Sequence, residues 1–217
     1  MVWDLPTRLF HWSFVVSIVG AFLTGREGNL FWHEIFGLAA LGLFVFRIIW
    51  GFVGHESARF KTFIVGPKKI WFYLTGLTRR RNQPTPGHNP LGALSTLALL
   101  LLILAQGLSG LFSVDDVSFD GPLAYAFDGR FIDLATEWHD TNWSILQLLL
   151  FMHLVAISWY QWRKRQPMVQ TMWRGQSADR VSEHAPVHPG RAVGIVGFVA
   201  ACLWLVITWA PEAPSYY

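Results

Sequence analysis

The sequence has little charge and almost no cysteine. Charged residues make up 14% of the chain and hydrophobic residues 53%, and the latter gather in runs that approach the roughly 20 residues needed to span a bilayer. The single cysteine, Cys202, excludes an internal disulfide and a cysteine-ligated iron–sulfur cluster. We therefore expect an all-α integral membrane protein without a soluble domain.

Five apolar runs are long enough to cross a membrane. We expect spans at about residues 9–23, 33–53, 91–112, 137–165 and 192–210, and a short interfacial helix at Pro67–Leu77. Residues 113–136 are expected to form an acidic loop. No cleavable signal segment is evident, so the first span is expected to be an uncleaved anchor. The short link between the first two spans makes them antiparallel neighbours.

Lysine and arginine are distributed unevenly between the links. Residues 54–89 carry seven and residues 163–191 carry six of the 17, whereas the opposite links carry only Arg26 and Arg130. The positive-inside rule then places the N-terminus in the cytoplasm, the acidic loop outside and the C-terminus on the periplasmic side. Membrane topology explains the net charge of +3 better than nucleic-acid binding does.

Four histidines in or beside the spans form two pairs. His139 and His153 are 14 residues apart, so on one helix they share a face within about 40° and are separated by roughly 21 Å. That separation predicts two stacked cofactors, and neutral imidazole is an axial ligand of haem iron. The topology places His33 at the outer level of His139 and His11 at the inner level of His153. We therefore predict two bis-histidine haems; the alternative is that these are interhelical or interfacial polar residues.

Further polar residues lie at the predicted inner ends of the spans. Arg47 either snorkels to the headgroups or pairs with a propionate of the inner haem. His55 and His88 are either solvated interfacial side chains or contacts of a quinone or a propionate. We place a quinone site on the inner side, with His88 and Arg47 as contacts, because quinone reduction takes up protons. His184 and His188 flank a proline and are expected to lie in a loop.

Several short motifs together resemble one family. They are residues 8–12 (RLFHW), 24–25 (TG), 47–54 (RIIWGFVG), 59–60 (RF), 87–92 (GHNPLG), 138–139 (WH) and 172–175 (MWRG). The sequence resembles the bacterial cytochrome b561 group, especially the branch that contains the b-type cytochrome subunit of nickel–iron hydrogenases. The resemblance implies a four-helix membrane core that holds two haem b groups, with axial ligands at His11, His33, His139 and His153.

The resemblance also implies a function and a location. It implies electron transfer in the bacterial inner membrane between the quinone pool and an extracytoplasmic partner, which in relatives is a hydrogenase, a molybdenum enzyme or a c-type cytochrome. Residues 1–175 would form the di-haem domain, and residues 176–217, with the fifth span, fall outside it. One alternative is a self-contained superoxide oxidase, which the acidic outer side disfavours because superoxide is an anion. The other is a transporter or anchor without a cofactor.

Overall fold

The computed structural model describes residues 2–77, 89–115, 117, 119–176 and 188–211. These residues form eight α-helices and, as their one strand-like feature, an isolated bridge between Val114 and Asp120. The helices are α1 Leu5–Arg26, α2 Leu30–Val53, α3 Phe60–Phe63, α4 Pro67–Leu77, α5 Pro90–Phe112, α6 Gly129–Trp162, α7 Met168–Arg174 and α8 Pro189–Thr208. Five of them, α1, α2, α5, α6 and α8, are long and apolar enough to cross a membrane. The expected all-α, five-span architecture is confirmed at this level.

Side-chain caps decide where four of the spans begin. Asp4, Asn29, Asn89 and Asp128 each accept a hydrogen bond from a backbone N–H of the first turn. Because of the cap at Asp128, α6 begins at Gly129 rather than near residue 137, so residues 129–136 are helical and do not belong to the acidic loop. Their mixed composition, in which Arg130 and Asp133 interrupt the apolar residues, conceals the helix from a search for apolar runs.

The packing of the spans follows their order in the chain. α1 packs against α2, α5 against α6, and α2 joins the two pairs by contacting α5, while α8 packs on α2. The buried core draws on the first four of these spans, through residues such as Phe14, Phe44, Ile103 and Leu146. We call the end of the spans beside the basic links the inner end, and the opposite end the outer end.

Hydrogen bonds fasten the inner end of α1 on two sides. Asp4, which caps α1, also accepts a bond from Trp50 Nε1 of α2 at 3.0 Å. The Val2 backbone N–H donates to the Gly175 carbonyl at 2.8 Å, and Arg8 Nη1 donates to a carbonyl in the last turn of α7 at 2.6 Å. Gly175 has φ +76°, a left-handed conformation that favours glycine at a helix end.

The helix α4 has the bounds expected for the interfacial helix. Its Trp71 and Phe72 side chains are exposed, as is typical of residues at headgroup depth. The Tyr73 hydroxyl shares a hydrogen bond of 2.8 Å with the Tyr160 hydroxyl, which ties α4 to the inner end of α6. Burial raises the pKa of Tyr73, so its hydroxyl stays protonated in the physiological range.

Candidate functional site

His33 on α2 and His139 on α6 face each other near the outer end. Their ring centroids are 6.1 Å apart and their planes are inclined by 79°. Two collinear metal–nitrogen bonds of about 2 Å, plus about 1 Å from each nitrogen to its ring centre, give about 6 Å. The spacing therefore fits one metal ion bound between the two imidazoles.

A backbone carbonyl fixes the tautomer of each ring. His33 Nδ1–H donates to the Ala21 carbonyl at 2.8 Å, and His139 Nδ1–H donates to the Gln106 carbonyl at 3.0 Å, with Ser109 Oγ 3.1 Å away. Because a carbonyl only accepts, the proton lies on Nδ1 and the free lone pair lies on Nε2 in both rings. This arrangement is typical of a histidine that ligates a metal.

A cavity of about 640 Å³ surrounds the outer pair. Its lining is mainly apolar and comes from α1, α2, α5, α6 and the segment that follows α5, and its size is ordinary for a small-molecule or cofactor site. No cluster of three or more His, Cys, Asp or Glu side chains suited to a metal occurs in the described residues. Two histidines alone fit an ion that brings its own equatorial ligands, as haem iron does.

Two glycines allow the rings to lie against neighbouring helices. A Cβ atom at Gly25 would lie 2.7 Å from His33 Nδ1, and one at Gly110 would lie 2.8 Å from His139 Cε1. Both distances are shorter than van der Waals contact, so any larger residue displaces the ring beside it.

Acidic side chains dominate the outer rim. Glu34, Asp115 and Asp140 line the outer part of the cavity with one basic residue, Arg26. Further acidic residues are exposed around this rim, namely Asp120, Asp128, Asp133 and Glu137. The outer surface beside the histidine pair therefore attracts cations and cationic protein surfaces.

The predicted inner pair is also brought together. His11 on α1 and His153 on α6 are each partly buried and lie close enough to interact electrostatically. The His11 ring packs edge-on against Trp12, with centroids 5.1 Å apart, and Trp12 contacts Trp173 of α7 at 5.5 Å. His11 Nδ1 is buried and has no hydrogen-bond partner among the described residues.

Arg47 and His55 are buried rather than solvated. Arg47 is 4% exposed and its guanidinium lies 4.8 Å from the centre of the Phe60 ring, so it does not snorkel to the headgroups. His55 is 1% exposed, and its Nδ1 accepts a bond from the Ser57 N–H at 3.2 Å, which leaves its proton on Nε2. Of the two alternatives for His55, the solvated side chain is therefore wrong: the ring is buried and caps the 3-10 turn at Glu56–Ala58.

Several buried donors at the inner end lack a partner among the described residues. They are Thr7 Oγ1, Arg8 Nε, Trp12 Nε1, Arg47 Nη1 and His55 Nε2. Buried donors at membrane depth require an acceptor, and this set suits a carboxylate or carbonyl oxygen of a bound group. His88 and His184 lie outside the described residues. His188 lies in the cap of α8, where its ring accepts a bond from the Gly190 N–H at 3.2 Å.

Two polar residues that the sequence did not predict as part of the site lie behind His139. Gln106 of α5 and Asn142 of α6 bond to each other at 2.6 Å, and Gln106 lines the cavity. The signal for them in the sequence is weak: Gln106 is an amide within an apolar run, and Asn142 stands in a polar stretch just before one.

Comparison with known proteins agrees with the motifs. The profile of the prokaryotic cytochrome b561 family matches residues 2–175. A protein of Azotobacter chroococcum mcd 1, named probable Ni/Fe-hydrogenase B-type cytochrome subunit, is 25% identical over an alignment 217 positions long, which covers 82% of this chain and 90% of that protein. No solved structure matches the chain. The profile match confirms the resemblance drawn from the sequence.

Proposed function

We propose that this chain, which belongs to the prokaryotic cytochrome b561 family, is a di-haem cytochrome b that carries electrons between an extracytoplasmic redox partner and the quinone pool. The observation that carries the proposal is the outer pair: His33 and His139 are 6.1 Å apart beside an apolar cavity, and both have Nε2 free. Five candidate spans and the family support a multi-pass bacterial membrane protein engaged in electron transfer.

Each histidine pair would hold one haem. His33 and His139 would ligate the outer haem b, and His11 and His153 the inner one. Bound haem iron supplies one-electron chemistry between its ferric and ferrous states. The protein holds the imidazole lone pairs in place and keeps water away with apolar walls. It also sets the ligands of the two levels roughly 21 Å apart along α6, so that the two sites together form a path across the bilayer.

The inner end would serve the quinone. Arg47 is buried and has a donor without a partner among the described residues, so it suits either an inner-haem propionate or a quinone carbonyl, and the buried His55 Nε2–H is a second such donor at the inner end. His88 stays a proposed contact that lies outside the described residues. A quinone bound here would exchange protons with the inner aqueous phase, which its reduction requires.

The outer end would serve the redox partner. α6 has 34 residues, which correspond to about 51 Å, so it projects well beyond a hydrocarbon core of about 30 Å. Exposed acidic side chains on this projection, among them Asp133 and Glu137, suit a partner with a basic surface. The relative named as a hydrogenase subunit makes a hydrogenase-like partner the leading choice, with molybdenum enzymes and c-type cytochromes as the others.

The remaining assignments follow from this scheme. Residues 1–175 would form the di-haem domain, because they contain all four proposed haem ligands and end at Gly175, whose carbonyl accepts a bond from the Val2 N–H. Residues 176–217 would add a linker and the separate span α8. The basic links favour a cytoplasmic N-terminus and a periplasmic C-terminus in the inner membrane. The acidic outer rim gives a superoxide oxidase no electrostatic advantage.

Haem stoichiometry tests the proposal. Pyridine haemochrome analysis of the purified protein should give two haem b groups per polypeptide, and the reduced-minus-oxidised spectrum should be that of a low-spin cytochrome b. Absence of haem would refute a cytochrome function, and a ratio near one would refute the second site. His33→Ala and His11→Ala, prepared in parallel, should each remove one haem from a different level.

A further inference from the structure

Gln106 and Asn142 form a ladder of hydrogen bonds behind His139. The Gln106 side-chain Nε2 donates to the backbone carbonyl of His139 at 3.0 Å. The backbone carbonyl of Gln106 in turn accepts from His139 Nδ1–H at the same distance. Asn142 Nδ2 donates to Gln106 Oε1 at 2.6 Å and to the Leu102 carbonyl at 2.9 Å. The ladder joins α5 to α6 at the level of the outer pair.

The donors and acceptors of this ladder fix its direction. The Gln106 amide uses its nitrogen toward His139 and its oxygen toward Asn142, so it has one orientation only. Asn142 is completely buried, and its Oδ1 has no partner among the described residues. An unpaired buried acceptor is a cost that helix adhesion alone does not explain, since apolar side chains would join the helices without it.

The other ring of the pair is supported differently. The Nδ1–H of His33 donates to the Ala21 carbonyl of α1, which also accepts from the Thr24 hydroxyl at 3.3 Å, and no amide side chain among the described residues bonds to that carbonyl. The two rings nevertheless stand at 79° to each other. We infer that the Gln106 and Asn142 side chains are positioning groups: they fix α5 against α6, so that the backbone carbonyl of Gln106 stays aligned with His139 Nδ1–H and the ring keeps its near-perpendicular orientation. This inference rests on the proposed haem at the outer pair.

Two measurable properties depend on that role. A hydrogen bond from Nδ1–H to a carbonyl makes the imidazole a more basic ligand, which favours the ferric state and lowers the midpoint potential. Near-perpendicular imidazole planes leave two iron d orbitals close in energy, which produces a highly anisotropic low-spin EPR signal. If the His139 ring is held less firmly and its Nδ1–H bond weakens, the midpoint potential of one haem should rise. The EPR signal of the same haem should become less anisotropic.

The test uses full-length protein purified with its haems. The main variant is Gln106→Leu/Asn142→Leu. It removes both side chains of the Gln106–Asn142 hydrogen bond, so neither is left unpaired, and it keeps the backbone carbonyl that accepts from His139. Asn142→Ala is a milder second variant. Ser144→Ala is the matched control, because Ser144 is an exposed hydroxyl on the same helix, two residues from Asn142, and outside the ladder. Haem content, EPR spectra and redox titrations are measured for each.

The expected result is a change in one haem only. In the double variant the equilibrium constant for reduction of the outer haem should rise threefold or more. This raises its midpoint potential by about 28 mV, at 59 mV per tenfold change for one electron. One EPR signal should lose anisotropy, the inner haem should be unchanged, and Asn142→Ala should shift the same signal in the same direction. If the double variant loses the outer haem, the milder Asn142→Ala decides the question through the same EPR signal and potential, and Ser144→Ala should match the wild type.

The opposite results are equally distinct. If either ladder variant keeps two haems with wild-type EPR signals and potentials, Gln106 and Asn142 only join the helices and the inference is overturned. Equal shifts in both haems would overturn it too, because the ladder contacts one ligand. If the wild-type protein itself lacks two bis-histidine low-spin haems, the proposed function fails regardless of the variants.

Discussion

Gly110→Ala should weaken the outer haem site by displacing a ligand. The new Cβ would lie 2.8 Å from His139 Cε1 and 3.2 Å from its Nδ1, whereas carbon atoms in contact are about 3.5 to 4.0 Å apart. The ring must therefore move by about 0.7 Å or more. Such a movement stretches the 3.0 Å bond from Nδ1 to the Gln106 carbonyl past the usual limit of about 3.2 Å.

The size of the effect follows from the bond that is lost. Removing a hydrogen-bond partner behind a metal-ligating histidine typically costs about 10- to 100-fold in metal affinity. This corresponds to about 1.4 to 2.8 kcal/mol. Helix propensity acts in the opposite direction, because alanine stabilises a helix interior relative to glycine by up to about 1 kcal/mol. A weaker outer site would thus not reflect a weaker α5.

Haem transfer to excess apomyoglobin measures this affinity. In the wild-type protein both haems should leave slowly, whereas in Gly110→Ala one haem should leave more readily and the other should be unaffected. Gly197→Ala is the control, because a Cβ at that position in α8 meets no atom within 4 Å. Wild-type haem retention and an unchanged low-spin spectrum in Gly110→Ala would show that the His139 ring is not held against α5 as described.

Three further predictions concern the inner end. His153→Ala should remove one haem per chain and leave the outer one in place; retention of both with unchanged spectra would show that His153 is not a ligand. His88→Ala and Arg47→Ala should each slow haem oxidation by added quinone while both haem spectra persist, and normal kinetics in both variants would move the quinone site elsewhere. Asp4→Ala removes a helix cap and leaves the Trp50 donor buried without a partner, so it should destabilise the protein by about 2 to 4 kcal/mol. Denaturant unfolding in detergent checks this value, and a loss below about 0.5 kcal/mol, the range of an ordinary surface change, would contradict it.

Long apolar runs made the spans predictable from the sequence. Where a predicted helix boundary was wrong, a side-chain contact explains the difference. The bounds of α4 and the end of α2 at Val53 follow directly from the sequence, because each has a clear change in composition or a glycine beside it. The start of α6 does not, since a single cap at Asp128 extends the helix through polar residues. Composition reveals the apolar part of a membrane-spanning helix. It does not reveal an extension of that helix that depends on a local hydrogen bond.

The candidate site shows the same division. Depth along the spans was sufficient to pair His33 with His139, because position on a helix converts directly into height. Burial of Arg47 and His55 was not predictable, since it depends on Phe60 and on the 3-10 turn that follows α2. The ladder behind His139 was also hidden, because it depends on which face of α5 meets α6.

The bonds between residues 2–8 and the end of α7 have a consequence for biogenesis. At roughly 5 to 20 residues per second, translation reaches Gly175 about 7 to 30 seconds after α1 has been made. Until then only the side of α1 that faces α2, with the Asp4–Trp50 bond, is fastened at the inner end. Both proposed ligands of the inner haem, His11 and His153, are therefore made before the second side of this helix end is closed by α7.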